Sequence, residues 1–236
     1  LIRVSASAFD ILWQDLGLRR APVPFELRSV GGTAGERAEI REAVYRNLAE
    51  RGLCTAGRVD ATLADRLETL AEATLYVECE ALVSLADEAP LRAVAAVAGR
   101  RAVLAAQPSR TIGLSPIRDT EVFAAVVGLL PPFEPGPGLG VSVPESAVHG
   151  AQSPAQEKQL REIRKIQARP VLGAGQFSVR VRDGEHVRRA GGVSWFTTDA
   201  GAYCATVAEG RGGQSWLTLT PADPARVAAR LADLVN

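Results

Sequence analysis

The 236-residue chain contains no methionine, lysine only at Lys158 and Lys165, and histidine only at His149 and His186. With no Met, Leu1 is not expected to be the natural start. Cysteine is scarce too: Cys54, Cys79 and Cys204 are an odd number without C-x-x-C spacing. That excludes a disulfide framework and fits a reducing compartment, so a cytoplasmic placement is expected. Neither histidine has a Cys, His, Asp or Glu partner at ligand spacing, so no metal site and no cofactor are expected. Two histidines outside any core pattern also predict no histidine-driven switch between about pH 6 and 8. No apolar run approaches the ~20 residues that span a bilayer, so no membrane insertion is expected. Excess charge of either sign is absent, with 27 basic and 27 acidic residues. That balance argues against a general electrostatic grip on nucleic acid or anionic lipid. Arginine supplies all but two of the basic residues, which suggests GC-rich codons and says nothing of function.

What is present is ordinary globular material: 47% apolar and 23% charged residues, with length enough for a core that needs no staple. Phe9, Leu12, Trp13 and Leu16 have helical spacing and Gly17 follows as a stop. Pro22 to Ser29 reads as an edge strand, since proline cannot donate to a ladder. Thr33-Ala-Gly-Glu36 is a capping box opening a helix through Ile40, Val44 and Leu48, closed by Gly52 with Leu53. Asp60 caps a helix carrying Leu63, Leu67 and Leu70. At Leu75 the period changes to two and a strand runs to Leu82. Ser84 to Gly99 is irregular, Arg101–Gln107 and Thr111–Leu114 are strands, and Asp119–Leu130 is helical. Pro131 to Gly150 is rich in Pro and Gly and reads as a linker. Ser153-Pro-Ala-Gln156 is a second capping box, opening a polar helix with a thin Leu160/Ile163/Ile166 stripe. Strands then follow: Phe177–Arg182 before the Asp183-Gly184 turn, Gly192–Thr198, Ala202–Val207, and Ser215–Leu219 after Gly212-Gly213. A last helix is capped at Thr220-Pro-Ala-Asp223.

The two halves end alike. Leu114-Ser-Pro116 recurs as Leu219-Thr-Pro221, 105 residues on, and Val122, Val126 and Leu129 recur as Val227, Leu231 and Leu234. The expected fold is therefore α+β: one domain over 1–236, made of a half 1–130, a linker 131–150 and a half 151–236. Its pseudo-two-fold β-β-β-α repeat would form a mostly antiparallel central sheet with helical bundles packed on it.

Motifs for chemistry fail in turn. Gly136-Pro-Gly-Leu-Gly140 has no strand before it or helix after it, and Gly173-Ala-Gly175 leads into a strand, so neither delivers amides to a phosphate. There is no G-x-S-x-G. Cys79 and Cys204 sit in half-buried strands, as small hydrophobes do. Glu78 and Glu80 share a strand face, either as a solvated or salt-bridged surface or as an acid/base pair. No catalytic residue is expected, and a binding protein is the favoured class. An enzyme (hydrolase or transferase) with an unrecognised site and a homo-oligomeric scaffold are the alternatives.

Phe177-Ser-Val-Arg-Val, Gly191-Gly-Val-Ser-Trp-Phe-Thr-Thr-Asp-Ala-Gly-Ala-Tyr203 and Ser215-Trp-Leu-Thr-Leu-Thr-Pro221 resemble the EspG family of type VII (ESX) secretion in actinobacteria. So do Ala8-Phe-Asp-Ile-Leu-Trp13, Pro22–Leu27, Ala49-Glu-Arg-Gly-Leu53 and Gly99-Arg-Arg-Ala-Val-Leu-Ala105. The resemblance implies a non-enzymatic, chaperone-like cytosolic protein that binds PE–PPE heterodimers before export by covering the apolar helical tip of the PPE subunit. A homodimer of the free protein stays open. Two features depart from the family. Thr197-Thr-Asp-Ala-Gly-Ala202 lacks the family's turn arginine, and the helical region Ser153–Gln167 is short.

For the binding site, the Ser84–Gly99 connection is longer than a hairpin needs and mixes apolar with charged residues, as interfaces do. The loop between the second and third strands is a family contact with PPE. Leu85, Asp87, Glu88 and Arg92 are the expected partner-binding residues. A short helix over Leu91–Ala98, packed on the sheet, is the other reading of this segment.

Overall fold

The computed structural model describes all of the chain except residues 20, 22, 23, 28, 151, 152, 211, 212 and 236 and the side chain of His149. The N-terminal half runs β1 (Ile2–Ser5), α1 (Ala6–Asp15), α2 (Ala34–Glu50), a small hairpin of β2 (Cys54–Thr55) and β3 (Arg58–Val59), and α3 (Ala61–Glu72). A four-stranded meander follows: β4 (Leu75–Leu82), β5 (Leu91–Ala98), β6 (Arg101–Gln107) and β7 (Thr111–Pro116). A 3-10 turn then leads into α4 (Val122–Val127). The C-terminal half repeats the plan. An edge strand β8 (Val141–Pro144) and helices α5 (Glu145–His149) and α6 (Pro154–Gln167) precede a second meander. That meander is β9 (Val171–Asp183), β10 (His186–Thr198), β11 (Gly201–Glu209) and β12 (Ser215–Pro221), with α7 (Pro224–Ala232) last.

Ten strands form one antiparallel sheet in the order β1-β7-β6-β5-β4-β9-β10-β11-β12-β8. The order is a palindrome about the β4–β9 seam, so the pseudo-two-fold is real. The repeating unit is larger than the β-β-β-α expected: each half contributes an edge strand, helices, four strands and a closing helix. At the seam Tyr76, Glu78 and Glu80 lie opposite Arg180, Ser178 and Gln176.

Local chemistry sets the helix ends. Thr33 and Glu36 make the capping box of α2. At its far end the Gly52 amide donates to Ala49 and the Leu53 amide to Leu48, at 3.0 and 2.8 Å. Gly52 has φ +69°, which only glycine adopts cheaply, so the helix stops there. Asp60 caps α3, Ser153 with Gln156 caps α6, and Asp223 alone caps α7.

Helices cover both faces of the sheet, which gives three cores. On one face α1, α2 and α3 bury Phe9, Leu12, Leu48, Leu63, Leu67 and Leu70 against β1 and β4–β7. On the opposite face α4 and α7 lie side by side and bury Val126, Val227 and Leu231 against Val77, Cys79, Phe177 and Trp195. Back on the first face, at the far edge, α6 buries Leu160 and Ile163 against Val141, Val143, Tyr203 and Leu219.

Three expectations are corrected here. Leu91–Ala98 is the interior strand β5, neither loop nor helix. Its Ala and Val side chains suit a strand packed on both faces, with Ala93 to Ala96 fully buried. The supposed linker is built into the fold. Val141 and Val143 pair with Leu219 and Leu217 as an edge strand. Upstream, Gly136 donates to Ala202, and a Cβ there would lie 2.2 Å from the Tyr203 ring. Pro24–Leu27 make no ladder; Phe25 packs edge-on against Phe9, while the Gln107 side chain binds both the amide and the carbonyl of Glu26. Pro22, Val23 and Arg28 of that expected strand lie outside the described residues, as does Gly212. Among the described residues no helix is long and apolar enough to cross a membrane.

Candidate partner-binding face

On the face that carries α1–α3 and α6, the middle of the sheet lies open between the two helical layers. Gln176 and Ser194 are exposed there although they sit on interior strands. The floor is a ladder of ion pairs. Arg92 Nη1 lies 3.2 Å from Glu26 Oε2 and its Nε 3.4 Å from Glu80 Oε1. Arg180 Nε donates to Glu78 Oε2 at 2.8 Å. Burial raises the Glu78 carboxyl above its usual range, and Arg180, with Arg189 beyond it, pulls in the other direction. Of the two readings of Glu78 and Glu80, the salt-bridged face is the one observed.

The end of this floor is apolar. Val83–Pro90 connects β4 to β5 and is tied to the start of β9, the Leu85 amide donating to the Leu172 carbonyl at 2.8 Å. The loop is shaped internally by Asp87, whose carboxylate accepts from the Ser84 amide at 2.9 Å. Leu85 and Leu172 remain about half exposed, at 51% and 53%, and Val171 is 38% exposed. Arg169, just beyond α6, pairs with Asp199 of the β10–β11 turn at 3.2 Å. Exposed apolar residues of the β4–β5 loop and of the start of β9, which a backbone hydrogen bond brings together, thus lie at one end of an open, charged sheet face, with the charged residues Asp87 and Glu88 in the same loop and the Arg169–Asp199 pair at the β10–β11 turn. That is the composition of a protein-docking surface.

Of the four residues expected to bind a partner, Leu85, Asp87 and Glu88 share this exposed loop. Arg92 does not. It is in β5 with its side chain largely covered and engaged by Glu26 and Glu80, so it holds the floor together. Sequence reading missed Val171 and Leu172. Their signal was two adjacent apolar residues directly after Arg169-Pro170, where a chain leaving a helix is free to expose them.

Groups for covalent chemistry are poorly placed. All three cysteines are buried and free, and burial pushes the Cys79 thiol up to about 12. Among the described residues no three His, Cys, Asp or Glu side chains cluster as metal ligands do.

A model of the EspG family matches residues 5–233. No curated protein matches the chain. Among solved structures, one of the Mycobacterium tuberculosis type VII secretion system chaperone EspG5 in complex with the PE25–PPE41 dimer superposes with a TM-score of 0.75. Identity is 17%, over 99% of this chain and 95% of that one, so the likeness is one of fold.

Proposed function

The chain belongs to the EspG family, and we propose that it acts as a cytoplasmic, chaperone-like recognition factor for a PE–PPE heterodimer awaiting type VII secretion. It binds the PPE subunit and shields that subunit's apolar helical tip. It is a binding protein and not an enzyme. The observation that carries this is the Leu85/Val171/Leu172 patch at the end of the open sheet face. Fully burying an aliphatic side chain is worth about 1.5–3 kcal/mol, so three partly exposed ones supply several kcal/mol to a complex. The charged floor and rim add register and selectivity more than affinity. The EspG5 structure holds a PE25–PPE41 dimer on the same fold, which supports the choice of cargo.

Co-expression with PE–PPE pairs encoded near this gene tests the reading. A soluble, stoichiometric complex on a sizing column is expected. The free protein in the same run reports whether it is a monomer or a homodimer. Unchanged cargo solubility and unchanged migration across all pairs would overturn the proposal.

A further inference from the structure

Two neighbouring strands part company in the C-terminal half. β10 and β11 pair over five residues, from Ser194↔Ala205 to Thr198↔Gly201, although β10 is thirteen residues long. Their counterparts across the seam, β5 and β6, pair over all of β6 and all of β5 except Leu91. Beyond Ser194, the stretch His186–Val193 of β10 has only β9 as a neighbour, and Thr206–Glu209 of β11 has only β12.

Main-chain groups alternate in direction along an antiparallel strand, so the bonded sides identify what faces this split. The Arg182 amide donates to Thr74, next to β4, at 2.8 Å. Val187 lies opposite Arg182 and therefore turns its N–H and C=O away from β9, as does Arg189 two residues on. Tyr203 lies opposite Pro221, which has no N–H, so Tyr203, Ala205, Val207 and Glu209 turn theirs toward β10. Ser194 meets Ala205, and Gly192, two residues before it, has the same orientation. Among the described residues the main-chain groups of Val187, Arg189, Gly192, Val207 and Glu209 find no partner across the split.

The β10 wall of the split is basic. Val187, Arg188 and Arg189 are all exposed. Consecutive residues project to opposite faces of the sheet, so one arginine flanks the edge on each side. The Arg189 guanidinium occupies the space that a side chain at Gly192 would need, which keeps the charge beside the free edge. Neither arginine makes a hydrogen bond or close ion pair among the described residues, although Arg189 acts on Glu78 at longer range. Val207, 63% exposed, adds an apolar contact on the β11 wall.

We propose that the free edge of β10 is a docking site for an extended, acidic segment of a partner polypeptide. The segment adds as a strand to Val187, Arg189 and Gly192 and sets carboxylates beside Arg188 and Arg189. In strand addition main-chain bonds give affinity and alternate side chains give selectivity. The bulge between Arg189 and Gly191 interrupts the ladder, so few main-chain bonds form and charge supplies much of the selection. A second copy of this chain is a poor occupant. Two β10 edges laid antiparallel would bring the arginines of both copies together, and like charges across a strand pair destabilise it. The site rests on neither the Leu85 loop nor the cargo reading.

The test is amide hydrogen exchange of the ¹⁵N-labelled chain, read by NMR, with an acetylated and amidated Glu-Val-Glu-Val-Glu-Val peptide as probe. In the free protein the amides of Val187, Arg189 and Gly192 are expected to exchange as fast as those of exposed loops. Saturating peptide is expected to slow them at least tenfold. The same peptide with Lys in place of Glu, or N-methylated at alternate residues so that it cannot form a ladder, is expected to leave them fast. Arg188→Glu/Arg189→Glu, confirmed as folded by its melting curve, is expected to bind the acidic peptide at least tenfold more weakly. Fast exchange at all three amides up to the solubility limit of the acidic peptide overturns the proposal. So does equal protection by either control peptide, or full affinity in the folded charge-reversed variant. Protection that grows with protein concentration without peptide would make a second copy the occupant and overturn it too. None of these readouts needs a PE–PPE pair, so this proposal and the cargo reading fail separately.

Discussion

Glu78 and Arg180 lie 102 residues apart and meet at 2.8 Å across the seam between the two halves of the chain. The Glu78 side chain is 8% exposed and that of Arg180 33%. The pair therefore joins the repeats where water is nearly excluded from the carboxylate but still reaches the guanidinium. Removing one partner of a buried pair costs more than replacing both with apolar groups. Arg180→Met is expected to lower stability by about 3 kcal/mol at most. The double variant Glu78→Met/Arg180→Met should lose less, and denaturant melts of the three proteins decide it. A double variant less stable than Arg180→Met would show that the seam depends on the charges themselves.

The same carboxylate predicts a pH effect. Its folded pKa lies above the ordinary 4.5, chiefly through burial. Between those two values the folded state holds more protons than the unfolded one, so this group's contribution to stability falls as pH rises through the window. Relative to Glu78→Gln, the wild type is expected to lose stability as pH rises above 4.5, then level off once the carboxyl has ionised. Parallel stability curves for the two proteins would contradict this.

The Val83–Pro90 loop and the sheet floor respond differently to charge reversal. Glu88→Arg changes an exposed loop residue and should alter stability by no more than about 0.5 kcal/mol. Asp87→Arg loses the bond to the Ser84 amide and should cost about 1 kcal/mol. Arg92→Glu places a third carboxylate between Glu26 and Glu80 and should cost about 2 kcal/mol. Reversing all three together would confuse folding with binding. Leu85→Asp with Leu172→Asp is the cleaner probe of cargo: a near-native melting temperature and at least tenfold weaker binding, about 1.4 kcal/mol. Native affinity in that folded variant would move the contact away from this end of the sheet.

Thiol chemistry should be silent in the folded protein. Cys54, Cys79 and Cys204 are all buried, and a Cys79 pKa of about 12 leaves almost no thiolate at neutral pH. A chromogenic disulfide reagent is expected to report close to no reactive thiol under native conditions and all three after denaturation. Rapid stoichiometric labelling of the native protein would show that one of these strands opens.

Gly52 tests the local architecture. Its φ of +69° places a Cβ in the strained left-handed region, with no neighbouring atom in the way. Gly52→Ala should therefore cost about 1–2 kcal/mol through backbone strain alone, read as a lower melting temperature with unchanged cargo binding.

The features legible along the chain were those that depend on residues a few positions apart. Thr33 with Glu36, Asp60, Ser153 with Gln156, and Gly52 with Leu53 satisfy or end helices through their own neighbours, so their positions are written locally. The repeated Ser/Thr-Pro step before α4 and α7 revealed the two-fold for a related reason: the same local pattern occurs twice. Tertiary structure settled the rest. Alternation marks a strand only when one face is wet; β5 is covered on both, so its Ala/Val run fits a helix or a loop equally well until its neighbours are known. Val141–Pro144 becomes a strand because β12 offers a free edge more than seventy residues later, overriding the surrounding Gly and Pro. Arg92 faces a floor instead of a partner because Glu26 and Glu80 reach it from distant segments. Val171 and Leu172 join Leu85 in one patch only because antiparallel pairing lays the start of β9 beside the end of β4. Charge pairing and strand edges act through space, and a linear pattern records them only when the partners are close in the chain.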